Sequence, residues 1–229
     1  MQHEINHSTG KAPCLVLLSG GIDSSTALYF MKAEGYDVQG LFIDYQHKSR
    51  QEEIRGAAYM ANELDCLLHI VGVPLDQQFF IDAKPLKPPG KENCNNLQDE
   101  GLDVLLCLSH WLFVASIYCL HLAIPKIVIG VTASDSHRFP WVGWDFLDHI
   151  SRAVSSWAGK GPKVFLPFLL KEKEEVVRIA AKLGVPLNRT WSCLEQGKIH
   201  CGICDGCKIR RSAFIDSEIN DDMRYEVDL

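Results

Sequence analysis

Two stretches of this 229-residue chain combine residue types at spacings that support chemistry. The first is Ser19-Gly20-Gly21-Ile22-Asp23-Ser24-Ser25, which follows the apolar run Leu15–Leu18. A strand that runs into two glycines, three hydroxyls and a carboxylate just before a helix can make an anion cradle. Glycine lets backbone approach a ligand, and the unpaired N–H groups and dipole of a helix start favour negative charge. No lysine follows the glycines, as a GxxxxGK[ST] phosphate loop requires, and the GxGxxG dinucleotide pattern is missing too. The competing reading is an N-capping turn, with Asp23 or Ser24 as the cap and the glycines only turning the chain. The second stretch is Cys193-x7-Cys201-x2-Cys204-x2-Cys207. Four thiolates so spaced can close a tetrahedron around Zn²⁺ at a Zn–S distance of ~2.3 Å, which leaves no open position and makes the metal structural. A redox CxxC pair or a disulfide knot competes, but two overlapping CxxC units plus a fourth cysteine favour metal. The other cysteines, Cys14, Cys66, Cys94, Cys107 and Cys119, read as small core residues, Cys94 lying in an irregular segment.

The elements around these stretches alternate. Strand patterns at 14–18, 37–44, 67–73, 126–131 and 163–167 interleave with helical patterns at 24–34, 51–64, 103–122, 146–157 and 171–183. Strands that are continuously apolar and separated by helices predict an α/β fold: an open parallel five-stranded sheet with helices on both faces. In such a sheet ligands bind beyond the carboxyl ends of the strands, where the strand order reverses. That context favours the cradle over the simple cap. Residues 75–101, rich in Pro, Lys and Asn, break the rhythm and are long for a compact domain. Residues 132–142 read as a polar-aromatic loop. The expected organisation is an α/β domain at 1–187 that carries the anion cradle and a four-cysteine zinc module with a C-terminal helix at 188–229.

Composition narrows the classes. Apolar residues make up 47% and charged residues 23%, an ordinary globular balance. A net charge of −6 with no basic run longer than Arg210-Arg211 argues against a protein that lives on nucleic-acid backbone. The first eleven residues lack a basic-then-apolar signal layout, so a cytoplasmic chain is expected. The longest apolar stretch, near Val104–Ile129, is interrupted by polar residues and Pro125, and reads as a buried helix plus a strand rather than a membrane span.

SGGxDSS directly after the first strand resembles the PP-loop of the ATP pyrophosphatases. Together with the cysteine spacing it resembles one branch of them, the 7-cyano-7-deazaguanine synthase family. The likeness continues through FIDYQHKSRQE (42–52), IVIGVTASD (127–135) and LPFLLKEKEEVVRIAAKLGVPLNRTWSC (166–193). It is densest in CGICDGCKIRRSAF (201–214), and it spans Cys14 to Phe214.

The resemblance implies that Ser19, Gly20, Gly21, Asp23, Ser24 and Ser25 hold the phosphates of ATP, with Mg²⁺, and that Lys173 helps to neutralise them. Ser19, Asp23 and Lys173 are the implied catalytic set. Asp44, Tyr45 and His47 fall where the adenosine would lie, and Asp135 falls at the carboxylate facing the substrate base. Each has a plain alternative: Lys173 as one lysine of the charge run KEKEE, Asp135 as a loop cap, Tyr45 as packing. Cys193, Cys201, Cys204 and Cys207 are the implied ligands of a structural Zn²⁺. The implied reaction is ATP-dependent adenylation of the carboxylate of 7-carboxy-7-deazaguanine, followed by amide and nitrile formation with ammonia, by a carbon–nitrogen ligase working as a homodimer.

Two departures from the family pattern stand where the base and its carboxyl would be held. No Arg-Asn precedes the central helix in PPGKENCNNLQDEGLDVLLCLSHWLF (88–113), and Phe139-Pro140-Trp141-Val142-Gly143 replaces the family's Tyr-Pro-Asp-Cys-Arg. An acceptor other than ammonia, even an amine on a protein partner that meets 75–101, is the alternative they raise. A tRNA-modifying adenylating enzyme gets no support from the charge, and an intact Ser19–Ser25 loop argues against a nucleotide sensor without turnover.

Overall fold

The computed structural model describes residues 11–73, 100–138, 144–158 and 161–227. Within them the chain forms β1 (Lys11–Leu17), α1 (Ile22–Ala33), β2 (Tyr36–Asp44), α2 (Arg50–Glu63), β3 (Leu68–Gly72) and α3 (Glu100–His121). Then come β4 (Lys126–Val128), α4 (Ala133–Arg138), α5 (Trp144–Ala158), β5 (Lys163–Phe165), α6 (Lys173–Lys182) and α7 (Asp205–Ser217). The five strands are parallel in the order β3-β2-β1-β4-β5. The chain steps outward from β1 to β2 and β3, then returns to place β4 on the other side of β1. The strand order therefore reverses between β1 and β4, and a crevice opens there beyond their carboxyl ends.

The alternation of a strand's side chains explains why the sheet needs cover on both faces. In β1, Cys14 and Val16 enter one core with α1, α2, α6 and α7, while Leu15 and Leu17 face the other core with α3 and α5. Cys14, Leu15 and Val16 are all fully buried, as a central strand of a doubly covered sheet requires. Among the remaining cysteines outside the cluster, Cys119 is buried and Cys66 is partly so. Cys94 lies outside the described residues.

One expectation is corrected. Part of the loop expected at 132–142 is a helix, α4, because Thr132 and Asp135 close a capping box. Thr132 Oγ1 accepts the Asp135 N–H at 3.3 Å, and Asp135 Oδ2 accepts the Thr132 N–H at 2.9 Å and its hydroxyl at 2.8 Å. Residues 75–99 and 139–143, which carry most of the unusual segment and one of the two departures, lie outside the described residues.

The C-terminal residues are pinned by Arg210, 1% exposed. Its guanidinium donates to both oxygens of Asp221 at 2.9 Å, to Thr190 Oγ1 at 2.8 Å and to the Leu187 carbonyl at 3.0 Å. Phe214 and Ala213 of α7 enter the core shared with α1 and α6.

Candidate functional site

The Ser19–Ser25 turn leaves β1 at the strand-order reversal. Gly20 has φ +79, and a Cβ there would sit 2.3 Å from the Glu53 carbonyl oxygen, so only glycine suits both the backbone angle and the crossing over α2. Gly21 is extended and starts α1 without a side-chain cap. The helix's first N–H groups are thus not spent on a capping side chain. The hydroxyls of Ser19 and Ser24 lie 3.0 Å apart, and Ser24 Oγ also accepts the Ser19 N–H at 3.1 Å. Ser25 differs: a helix turns by about 100° per residue, which carries its side chain to the core side. It is fully buried, with its hydroxyl unpartnered among the described residues.

Lys173, the first residue of α6, reaches Asp23 with an ion pair between Nζ and Oδ2. The two residues come together because α6 starts against α4. Ala133 N–H donates to the Lys171 carbonyl at 2.9 Å, Ser134 Oγ donates to Glu172 at 2.8 Å, and Lys173 N–H donates back to Ser134 Oγ at 3.3 Å. Burial pushes the Asp23 carboxyl above the usual carboxylate range; Lys173 pulls it down, and Asp135 adds to the rise. Asp23 Oδ1 is buried and has no partner among the described residues.

A cavity of about 390 Å³ opens beside this turn. Ser19, Gly21, Asp23, Ser24, Tyr45 and Asp135 of the expected set line it, between apolar walls that include Leu17, Ile43 and Ile129. Gly20, Ser25, Asp44, His47 and Lys173 do not line it. Asp44 Oδ2 pairs with Arg50 at 3.2 Å, and its Oδ1 accepts the Gln46 N–H at 2.9 Å. His47 Nε2 lies 2.9 Å from Glu53, and the His47 ring stacks on Tyr45 at 4.2 Å. Tyr45 in turn leans on Trp111, 5.4 Å away between centroids.

Among the lining residues outside the expected set, Trp111, Glu53, Trp191 and Gly130 bear most on the site. Trp111, Glu53 and Trp191 line the cavity, and the buried Trp111 Nε1 has no partner among the described residues. Gly130, just past β4, allows the turn to pass: a Cβ there would lie 2.7 Å from the Asp23 carbonyl carbon. A glycine ending an otherwise apolar strand is a visible signal, whereas nothing in the sequence singles Trp111 out of its helix.

The four expected cysteine ligands converge. All four Sγ atoms lie within 4.8 Å of one another, with Cys201–Cys207 and Cys193–Cys204 at 3.9 Å. A tetrahedron with Zn–S of ~2.3 Å has edges of roughly 3.8 Å, so the donor set fits Zn²⁺. Backbone N–H groups point at the sulfurs: Cys201 to Cys193 and Cys204 to Cys201, both at 3.4 Å, and Leu194 to Cys204 at 3.5 Å. Burial pushes the Cys193 and Cys207 thiols up. Burial acts the same way on Cys201, but N–H donors from Cys204 and Ile203 bring it down to about 7. Four sulfurs at this separation, two buried and two half-buried, are placed so that as thiolates they could hold one metal ion.

The family model described as "Queuosine biosynthesis protein QueC" matches residues 13–218. The chain belongs to the QueC family. Its relatives there include the 7-cyano-7-deazaguanine synthase of Methanoculleus marisnigri, 32% identical over 94% of this chain and 99% of the relative. That of Nitratiruptor sp. is 30% identical over 93% and 98%. Among solved structures, NMN synthetase from Francisella tularensis matches with a TM-score of 0.57 at 14% identity, covering 93% of this chain and 79% of that one. At that identity the structural match speaks for the α/β fold alone. Among the described residues, no helix is long and apolar enough to cross a membrane.

Proposed function

We propose that this QueC-family chain uses ATP to activate the carboxylate of 7-carboxy-7-deazaguanine, or a close analogue, and to convert it to the amide and then the nitrile. The observation that carries the reading is the convergence, at the strand-order reversal, of the Ser19 and Ser24 hydroxyls, the start of α1 and the Lys173–Asp23 pair. In this reading residues 1–187 hold the nucleotide and residues 188–229 hold the metal.

A carboxylate resists attack by nitrogen until its oxygen becomes a good leaving group. Its oxygen attacks the α-phosphorus, the bond from that phosphorus to the bridging oxygen breaks, and pyrophosphate leaves. The loop N–H groups, Ser19, Ser24 and Lys173 stabilise the negative charge that builds on the departing phosphates. Mg²⁺, when bound, neutralises phosphate charge, and Asp23 Oδ1 is the buried acceptor available to hold it. Ammonia then displaces AMP to give the amide, and a second ATP-driven step removes the amide oxygen. The apolar walls around Tyr45 and Trp111 suit planar rings and exclude water from the activated carboxyl. Cys193, Cys201, Cys204 and Cys207 would hold Zn²⁺, which would supply folding free energy and leave no position for substrate.

A second reading keeps the activation and changes the acceptor. The missing Arg-Asn in 88–113 and the altered 139–143 favour it, because both alter the substrate side while the loop and cysteines are kept. Mass spectrometry of the products from enzyme, Mg-ATP, 7-carboxy-7-deazaguanine and ammonia tests both. A nitrile supports the first reading; amide alone, or AMP and pyrophosphate without either product, supports another acceptor. No ATP consumption sinks the deazaguanine substrate.

A further inference from the structure

We infer that Trp191 is a positioning residue that ties the four-cysteine centre to the phosphate loop, so that the metal module supports ATP binding. This rests on the reading of Ser19–Ser25 as the phosphate grip. The Trp191 N–H donates to the Gly20 carbonyl at 2.9 Å, within the turn that leaves β1. Its indole Nε1 donates to the carbonyl of Cys193, a thiolate ligand, at 2.8 Å. One residue thus bonds the loop with its backbone and the metal centre with its side chain.

The rest of its surroundings hold it in that role. Trp191 is 7% exposed and packs in the same small core as Cys193 and Cys207. Its ring lies 4.3 Å from that of His200, whose Nε2 accepts the Ser192 N–H at 3.1 Å. The preceding residue, Thr190, is gripped by Arg210. The Arg189 carbonyl is 3.0 Å from where a Cβ of Gly56 would lie, and the Gly20 carbonyl is 3.1 Å from the same point. The passage 189–193 is therefore wedged between α2, the phosphate loop and the sulfur cluster. Trp191 also lines the cavity beside Ser19 and Gly21.

The consequence is directional. Loosening the indole bond frees the turn between residues 191 and 193, and the Gly20 carbonyl loses a fixed partner. Gly20 sits in the left-handed region at φ +79, directly ahead of the N–H groups that start α1. Freedom at that point spreads the donor directions and weakens the anion grip without touching the sulfurs. The exposed Lys48–Glu195 pair, at 3.1 Å, also links the module to the loop after β2, but an exposed pair of this kind contributes little.

The test compares wild type with Trp191→Phe, both loaded with zinc, by calorimetric titration with a non-hydrolysable Mg-ATP analogue and by amide exchange over residues 19–25. Phenylalanine keeps the ring packing and removes the indole donor. The expected result is full zinc content, binding weaker by about tenfold, a free-energy loss the size of one net hydrogen bond, and faster exchange of the loop amides. In turnover assays KM for ATP rises by a similar factor, and it moves further than kcat at saturating ATP does. Should the variant not fold, the wild type decides alone. After chelation, at a temperature where circular dichroism shows the helices intact, analogue binding weakens and loop exchange quickens. Wild-type affinity and protection in a folded Trp191→Phe, or binding indifferent to chelation, overturns the inference. Failure of zinc-loaded wild type to bind the analogue at all overturns the phosphate-loop reading beneath it.

Discussion

At the scale of single residues, the proposed reaction turns on Lys173, Asp23 and the glycines that let them meet. Lys173→Met removes the cation expected to face the departing pyrophosphate. Turnover should fall by about 10²–10³, as when one preorganised charge-stabilising donor is lost, and steady-state kinetics with saturating ATP measures it. The same change leaves Asp23 buried without its cation, so its carboxyl should titrate still higher than in wild type. Carbon-13 NMR of labelled aspartate reads that directly. Gly130→Ala is the complementary test of shape. Its Cβ would meet the Asp23 carbonyl oxygen at 2.8 Å and the Ser24 nitrogen at 2.9 Å, backbone atoms that cannot yield as a side-chain tip can. ATP affinity should fall by about tenfold or more, while chain stability falls by about 1–3 kcal/mol, the usual cost of overpacking. Part of the site was legible at this scale: hydroxyls and glycines after a strand, and cysteines at metal spacing, carry their chemistry in their identity, and Ser19, Gly21, Asp23 and Ser24 line the cavity. Trp111 and Trp191 were not, since an aromatic in a helix or loop reads as packing until its neighbours are known.

At the scale of elements, the parallel sheet and its helices follow from strands apolar on both sides, and their alternation was readable from the sequence. The exception is instructive. Residues 132–138 lack helical periodicity, yet Thr132 and Asp135 stand at the spacing of a capping box, and that local hydrogen bonding sets α4. Asp135→Ala should cost about 1 kcal/mol through the lost cap, lowering the thermal midpoint by a few degrees. Because α4 braces the start of α6 through Ser134 and Glu172, the same variant should also slacken Lys173. Its effect on KM for ATP should therefore exceed what the stability change explains.

At the scale of the molecule, residues 188–227 are secured by a buried ion pair as well as by sulfur. Burial alone would raise the Asp221 carboxyl, but the hydrogen bonds and charge of Arg210 hold it below the usual range. A carboxyl with a folded pKa below its unfolded one stabilises the chain above the unfolded value, ~3.9, and loses that stabilisation as pH falls toward the folded one. Arg210→Met should cost about 3–5 kcal/mol near neutrality by stranding Asp221, and the acid slope of stability should flatten. Urea melts between pH 3 and 7 show both. Among the described residues Arg210 is one of the largest fully buried side chains, yet in the sequence it is one of two adjacent arginines; only the fold distinguishes it from Arg211.

The proposed reaction uses ATP to place AMP on the substrate's carboxyl oxygen. The most direct measurement supplies 7-carboxy-7-deazaguanine labelled with oxygen-18 in the carboxylate and follows the label by mass spectrometry. Labelled AMP and unlabelled pyrophosphate are expected, since in the proposed reaction the carboxylate oxygen bonds to the α-phosphorus and leaves with it. Label in inorganic phosphate together with ADP, or AMP formed without label, would contradict it.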